Sequence, residues 1–200
     1  MFYPIMINLE NKEVAIVGGG KIAFRKAKKL LEYGANLKII SPSIIPEIYN
    51  IGDEIEIIKD RYNEEHIRNS FMVIAATSSK CINEDVVSYC KKNRILCSAV
   101  DNINNSDFIS VSSIKKGDLV ISASTSGKSP SLSSKIIKEL EYKYTEEYIE
   151  YIKLLGDIRQ IVLQKCSDEH KKKKILNEIV SLSIEELKMR RYEYENSSWI

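Results

Sequence analysis

Apolar residues gather in short runs separated by longer stretches of mixed character, and the runs fall at Val14 to Val17, Leu37 to Ile40, Ile55 to Ile58, Phe71 to Ala75 and Ile95 to Val100. Runs this short and this rich in Val and Ile, each broken by at most one polar residue, are the pattern of strands covered on both faces. The stretches between them predict helices. The clearest, Ala23 to Tyr33, places Ala23, Ala27, Leu30 and Leu31 on one face and ends at Gly34. Strands alternating with helices predict a mostly parallel sheet with helices on both sides, whose ligands bind at the carboxyl ends of the strands. This unit is expected to run to about Asn105.

The pattern then changes. Phe108 to Ile114 and Leu119 to Ala123 read as short strands joined by a turn at Lys115-Lys116-Gly117-Asp118. A polar loop, Ser124-Thr125-Ser126-Gly127-Lys128-Ser129-Pro130, opens a predicted helix from Ser131 to about Tyr144. The remainder reads as helical. Tyr148, Ile152, Leu155, Ile158 and Val162 recur at helical spacing between Glu146 and Gln164, and two further helices are expected around Ile175 to Val180 and Ile184 to Tyr192, before a frayed Asn196-Ser197-Ser198. The expected boundaries are therefore 1–105, 106–145 and 146–200.

The first run feeds directly into Gly18-Gly19-Gly20-Lys21-Ile22-Ala23. Gly18 permits a tight exit from the strand, Gly20 has no Cβ to obstruct a pyrophosphate, and Ala23 lets helix and strand approach closely. A helix N-terminus behind the glycines offers unpaired N–H groups and partial positive charge to phosphates. This strand, turn and helix predict a Rossmann-type dinucleotide-binding domain. Many NAD enzymes carry an acid after the second strand to hold the ribose hydroxyls, yet here the chain reads Ser41-Pro42-Ser43. Ser41 or Ser43 could hold the ribose, or the segment is an ordinary loop element, and NADP is not excluded.

Composition narrows the class. The 200 residues are 44% hydrophobic, and 30 Lys and Arg against 28 Asp and Glu leave a formal charge of +2, which gives no overall pull toward nucleic acid. The cysteines at 81, 90, 97 and 166 form no Cys-x-x-Cys, which disfavours zinc and a disulfide framework, and no metal site is expected. His66 and His170 are expected at the surface without metal partners. The N-terminus lacks a basic region followed by a long apolar run, and no stretch is long enough to span a membrane, so a cytoplasmic protein is expected.

Further motifs extend along most of the chain: Tyr3-Pro4-Ile5-Met6-Ile7-Asn8-Leu9, Arg25-Lys26, Ala75-Ala76-Thr77, Val100-Asp101 and Phe108-Ile109, beside the glycine turn and the Ser124 to Pro130 loop. Taken in order, these segments resemble the siroheme synthase family, which comprises precorrin-2 dehydrogenases, some of them also sirohydrochlorin ferrochelatases. The resemblance implies three domains: a Rossmann-type parallel-sheet domain, a small α+β dimerisation domain and a helical C-terminal domain. It also implies a homodimer with NAD as cofactor, and transfer of two electrons as hydride from precorrin-2, a tetrapyrrole with eight carboxylates, to give sirohydrochlorin. Insertion of Fe²⁺ would be a second step in bifunctional members.

On that resemblance Gly18, Gly19, Gly20, Lys21 and Ile22 lie at the pyrophosphate, and Pro42 and Ser43 lie beside the adenosine half. Thr77 is either a cofactor-side loop residue or an ordinary turn residue. Asp101, at the end of the fifth run, is either a turn cap with Asn102 or a general base, and the resemblance gives it the latter role. Ser124, Thr125, Lys128 and Ser129 are either an N-cap with its turn or donors to substrate carboxylates, the reading the resemblance favours. Lys171 to Lys174 form a solvated helix face or attract the polyanion. The rival from another class is a non-catalytic NAD(H)-sensing module, against which the missing acid after the second strand counts.

Overall fold

The structure, a computed structural model, describes residues 1–52 and 55–196. The chain divides into two compact units, Met1–Ser110 and Val111–Ile200.

The first unit is built on five parallel strands, β1 (Glu13–Val17), β2 (Asn36–Ile40), β3 (Ile55–Ile58), β4 (Met72–Ala75) and β5 (Leu96–Ala99), in the order β3-β2-β1-β4-β5. Each expected apolar run forms a strand here. Val14 and Ile16 point into one core layer with Leu37, Ile39 and Ile74, while Ala15, Val17, Ile40, Val73 and Ala75 point into the other. β1 from Val14 onward and all of β4 are buried on both faces and carry no polar residue there, while β2 and β3 each carry one charged residue, Lys38 and Glu56, which pair at 3.6 Å. Helix α1 (Lys21–Leu31) covers the first layer through the fully buried Ala23 and Ala27, and Gly34 closes it at φ +73° with its N–H donating to Leu31 O at 3.0 Å. A short helix α2 (Pro46–Tyr49) follows β2. Helix α3 (Lys80–Asn93) covers the second layer with Val86, Val87 and Cys90. There the Cys97 thiol is held far above its ordinary pKa by its hydrogen bond to Cys90 and by burial, so its sulfur is no ready nucleophile.

Beyond β5 the chain departs from expectation. Phe108 to Val111 do not extend a strand; Phe108 packs against the first core layer instead. The edge of β5 is covered by polar groups that follow it in the chain: Asp107 N–H donates to Cys97 O at 2.8 Å, the Asp107 carboxylate accepts from Cys97 N at 2.9 Å, and Ser106 Oγ accepts from Ala99 N at 2.9 Å. Two side chains thereby close an edge that would otherwise invite another strand. His66 also differs from the surface position expected of it. Its side chain is 19% exposed, with Nδ1 buried and Nε2 3.9 Å from Asp60.

The second unit opens with an antiparallel hairpin of β6 (Ser112–Lys116) and β7 (Leu119–Ala123), in which Lys116 pairs with Leu119. The loop is only Gly117-Asp118, with Gly117 at φ +57°, so Lys115 and Lys116 belong to the strand rather than to the turn. Helix α4 (Pro130–Lys143) lays Ser133 and Ile137 inward, and α5 (Glu147–Lys165), α6 (Glu169–Glu178) and α7 (Ile184–Asn196) share a core of Leu154, Ile158, Val162, Ile175 and Leu187. Asn196 ends α7, and the rest of the expected frayed tail lies outside the described residues. Among the described residues no helix is long and apolar enough to cross a membrane.

Candidate functional site

Because the strands are parallel and Val17 is in register with both Ile40 and Ala75, the segments after β1, β2 and β4 emerge along one edge of the sheet. The chain runs from β1 outward through β2 and β3 on one side and then crosses back to lay β4 and β5 on the other, so a crevice opens above β1 and β4, where such sheets bind dinucleotides. The glycine turn is wedged there between two loops. Gly18 sits at φ +131°, and a Cβ on it would collide with the Ala76 carbonyl after β4. A Cβ on Gly19 would collide with the Ser43 carbonyl after β2, and the Gly19 carbonyl accepts from Ile45 N at 2.9 Å. Gly20 differs from both. Its backbone is extended, and among the described residues a Cβ there would meet nothing within 4 Å and no side chain caps the N-terminus of α1 that it begins.

The three glycines therefore have separate duties: two let the chain pack on itself, and the third leaves open space in front of uncapped N–H groups. An open surface at a long helix's N-terminus suits a diphosphate, which needs close backbone approach and N–H donors. Lys21 and Ile22 are exposed on the first turn, and Lys21 has no ionic or hydrogen-bonding partner among the described residues. One turn on, Lys26 is half-buried and held below the ordinary lysine pKa by desolvation and by neighbouring Arg25. These residues fit the pyrophosphate of NAD.

The two serines of the loop after β2 differ in their surroundings. Ser41 is buried, its hydroxyl donating to Ser43 O at 2.8 Å, so it shapes the loop. Ser43 and Pro42 are exposed beside Gly19 and remain available to an adenosine. Thr77, on the opposite side of the glycines, is tied down. Its hydroxyl donates at 2.8 Å to Asn83 Oδ1, which also accepts from Thr77 N at 3.1 Å, while Asn83 Nδ2 donates to Thr77 O at 3.3 Å. Asn83, 1% exposed, was not singled out in sequence. The only signal was an amide between Ile82 and Val86 on a helix face that is otherwise apolar. Asn83→Ala strands the Thr77 amide and should cost about 1–3 kcal/mol. Denaturant unfolding should show the midpoint fall, and a midpoint unchanged from wild type would remove Asn83 from this role.

Asp101 follows β5 at the same edge, since Ala99 is in register with Ala75. It is exposed, and its carboxylate makes no hydrogen bond or ion pair among the described residues. The turn it lies in is held by others: Asn102 N donates to Ala99 O at 3.3 Å and Ser106 Oγ donates to Asn102 O at 3.0 Å. Asp101 is thus not the cap of its own turn. It shares a cleft of about 150 Å³ with the start of α3.

In the second unit the polar loop folds back on itself. Ser129 Oγ caps α4 by accepting from Leu132 N at 3.3 Å, Thr125 Oγ1 accepts from Ser129 N at 2.8 Å, and Ser124 Oγ accepts from Ser126 N at 3.0 Å. The helix-cap geometry is present. Lys128 alone among the four proposed substrate contacts has a side chain with no polar partner among the described residues.

Comparison with known proteins places this arrangement. A family model described as "Putative NAD(P)-binding" matches residues 5–112, from the first motif through the loop that follows Asp101. The precorrin-2 dehydrogenase of Priestia megaterium is 27% identical over 180 residues, 89% of this chain and 89% of that protein. Siroheme synthases of Tolumonas auensis and Photorhabdus laumondii are 31% and 32% identical over 84% and 83% of this chain, which spans only 36% of the length of each. A solved structure titled "SirC, precorrin-2 dehydrogenase" superposes with a TM-score of 0.79 at 26% identity, covering 98% of this chain and all of that one. With its glycine turn, parallel sheet and helical C-terminal region, the chain belongs to the NAD(P)-binding family of the precorrin-2 dehydrogenases and siroheme synthases.

Proposed function

We propose that the chain oxidises precorrin-2 to sirohydrochlorin with NAD⁺, a step of siroheme synthesis. The observation that carries the reading is the Asp101 carboxylate, without a partner among the described residues, on the sheet edge that also bears the open glycine turn. Bound NAD⁺ supplies the hydride acceptor. The uncapped N–H groups of α1, with Lys21 and Ile22 on its first turn, hold the diphosphate, and Pro42 and Ser43 flank the adenosine. Thr77 acts on the cofactor side by fixing the loop against which Gly18 packs. Loss of hydride from a carbon leaves a cation that is neutralised by loss of a proton, and Asp101 accepts that proton as general base. Lys128, with the hydroxyls of Ser124, Thr125 and Ser129 around it, meets substrate carboxylates.

The test is direct: precorrin-2 and NAD⁺ with wild-type protein should yield sirohydrochlorin and NADH. Tight NADH binding with no turnover would instead favour the sensor module. Iron insertion is proposed as a separate step on the same carboxylate, which would take pyrrole N–H protons. Wild-type protein must then metallate sirohydrochlorin with Fe²⁺ faster than a protein-free blank, and a rate equal to the blank restricts the chain to oxidation.

We also propose that the segment 106–145 dimerises and that 146–200 forms the helical domain. A two-stranded hairpin buries little by itself, and α4 leaves Leu132 48% and Ile136 37% exposed on the face next to its buried Ser133 and Ile137. A second copy is the expected cover. Light scattering at micromolar concentration should give twice the mass of one chain; a monomer would contradict this.

A further inference from the structure

The cleft beside Asp101 holds a cation that the mechanism has not used. Lys80 opens α3 and Glu84 stands one turn later, both exposed, and with Asp101, Asn102 and Asn105 they line the cleft. Lys and Glu at this spacing share a helix face, though Lys before Glu is the weaker order for pairing. Neither side chain has an ionic or hydrogen-bonding partner among the described residues. The Lys80 ammonium is therefore unspent, within the same small cleft as the proposed base.

We infer that Lys80 is a specificity-determining residue that receives one carboxylate arm of a polycarboxylated tetrapyrrole while Asp101 faces the ring. This rests on the function proposed above. Volume supports a subsite rather than a whole site: about 150 Å³ is well below the ~300–1,000 Å³ of pockets that enclose entire ligands, and suits a single acidic arm with the edge of a ring. Charge sets the orientation. An anionic arm is drawn to Lys80 and repelled by Glu84 and Asp101, so the acidic wall is left to the ring, and the amides of Asn102 and Asn105 can donate to the same carboxylate or accept from ring N–H groups. Glu84 thereby becomes a gate against anions arriving in the wrong register.

The arrangement makes predictions of opposite sign for two neighbours. Sirohydrochlorin is the probe, titrated by its absorption against wild type, Lys80→Gln, Lys80→Arg and Glu84→Gln, with NAD⁺ affinity measured on each. Loss of one charge-assisted contact should weaken sirohydrochlorin about tenfold in Lys80→Gln, and the deficit should shrink at high salt. Lys80→Arg should restore most of it, Glu84→Gln should tighten binding, and NAD⁺ affinity should stay unchanged throughout. A merely structural lysine would not give this pair of opposite effects. Lys80→Gln with wild-type sirohydrochlorin affinity would overturn the inference, as would a loss of NAD⁺ affinity in its place, which would put the cofactor in the cleft. The binding arm is independent of turnover: a wild type that binds sirohydrochlorin through Lys80 but never oxidises precorrin-2 defeats the proposed function and leaves this inference standing.

Discussion

Gly20→Val is expected to raise the Kd for NAD⁺ at least about a hundredfold, some 2.7 kcal/mol, in a protein that still folds. The reasoning turns on the difference between adjacent glycines. At Gly20 the backbone is extended at φ −94° and ψ −170°, a conformation open to any residue, and the added Cβ meets nothing within 4 Å among the described residues. A branched side chain there occupies the space before the first turn of α1, which a diphosphate must enter to reach the N–H groups. The cost to the fold is limited to a poorer helix cap, about 1 kcal/mol. Gly18→Ala should behave in the opposite way. At φ +131° a side chain brings strain of about 1–3 kcal/mol, before its collision with the Ala76 carbonyl is counted. Thermal unfolding of both variants, with NAD⁺ titration of whatever folds, separates the two roles. A folded Gly20→Val that binds NAD⁺ like wild type would remove the turn from the cofactor site.

Asp101→Asn should lower the rate of precorrin-2 oxidation about 10²–10⁴-fold while NAD⁺ affinity stays near that of wild type. The amide preserves size and can still accept a hydrogen bond, but it cannot take a proton. Stability should be nearly untouched, because the carboxylate supports no hydrogen bond among the described residues and the turn is held by Ser106 and by the backbone of Ala99 and Asn102. This separation is informative. A buried capping Asp would lose stability and activity together, whereas here only turnover should fall. Full activity in Asp101→Asn would return this residue to the status of a loop carboxylate.

The parallel sheet was readable in the sequence because its central strands are buried on both faces, which writes them as unbroken runs such as Val14 to Val17 and Met72 to Ala75. The glycine turn was readable because only glycine tolerates the conformation of Gly18 and the crowding at Gly19. Phe108 misled, since an apolar residue can meet its burial requirement by packing onto a core layer without joining a ladder, and Asp107 and Ser106 took over the ladder's hydrogen bonds. Lys115 and Lys116 misled in the other direction: exposed strand positions tolerate charge, so the turn could be placed only by Gly117, the sole loop residue with positive φ. Within the site, what escaped was the direction of polar side chains. Whether Ser41 faces inward, Thr77 is held by Asn83, or Lys80 lacks a partner among the described residues depends on neighbours distant in sequence or on side-chain orientation, and residue type alone carries neither.

The central claim is that hydride passes from precorrin-2 to NAD⁺ on this chain, and isotope transfer tests it most directly. Precorrin-2 carrying deuterium at the saturated carbon that is oxidised, turned over with wild-type protein and unlabelled NAD⁺, should give NADH that retains the label, one equivalent for each sirohydrochlorin formed. NADH without deuterium, or sirohydrochlorin formed with no NADH, would contradict the account.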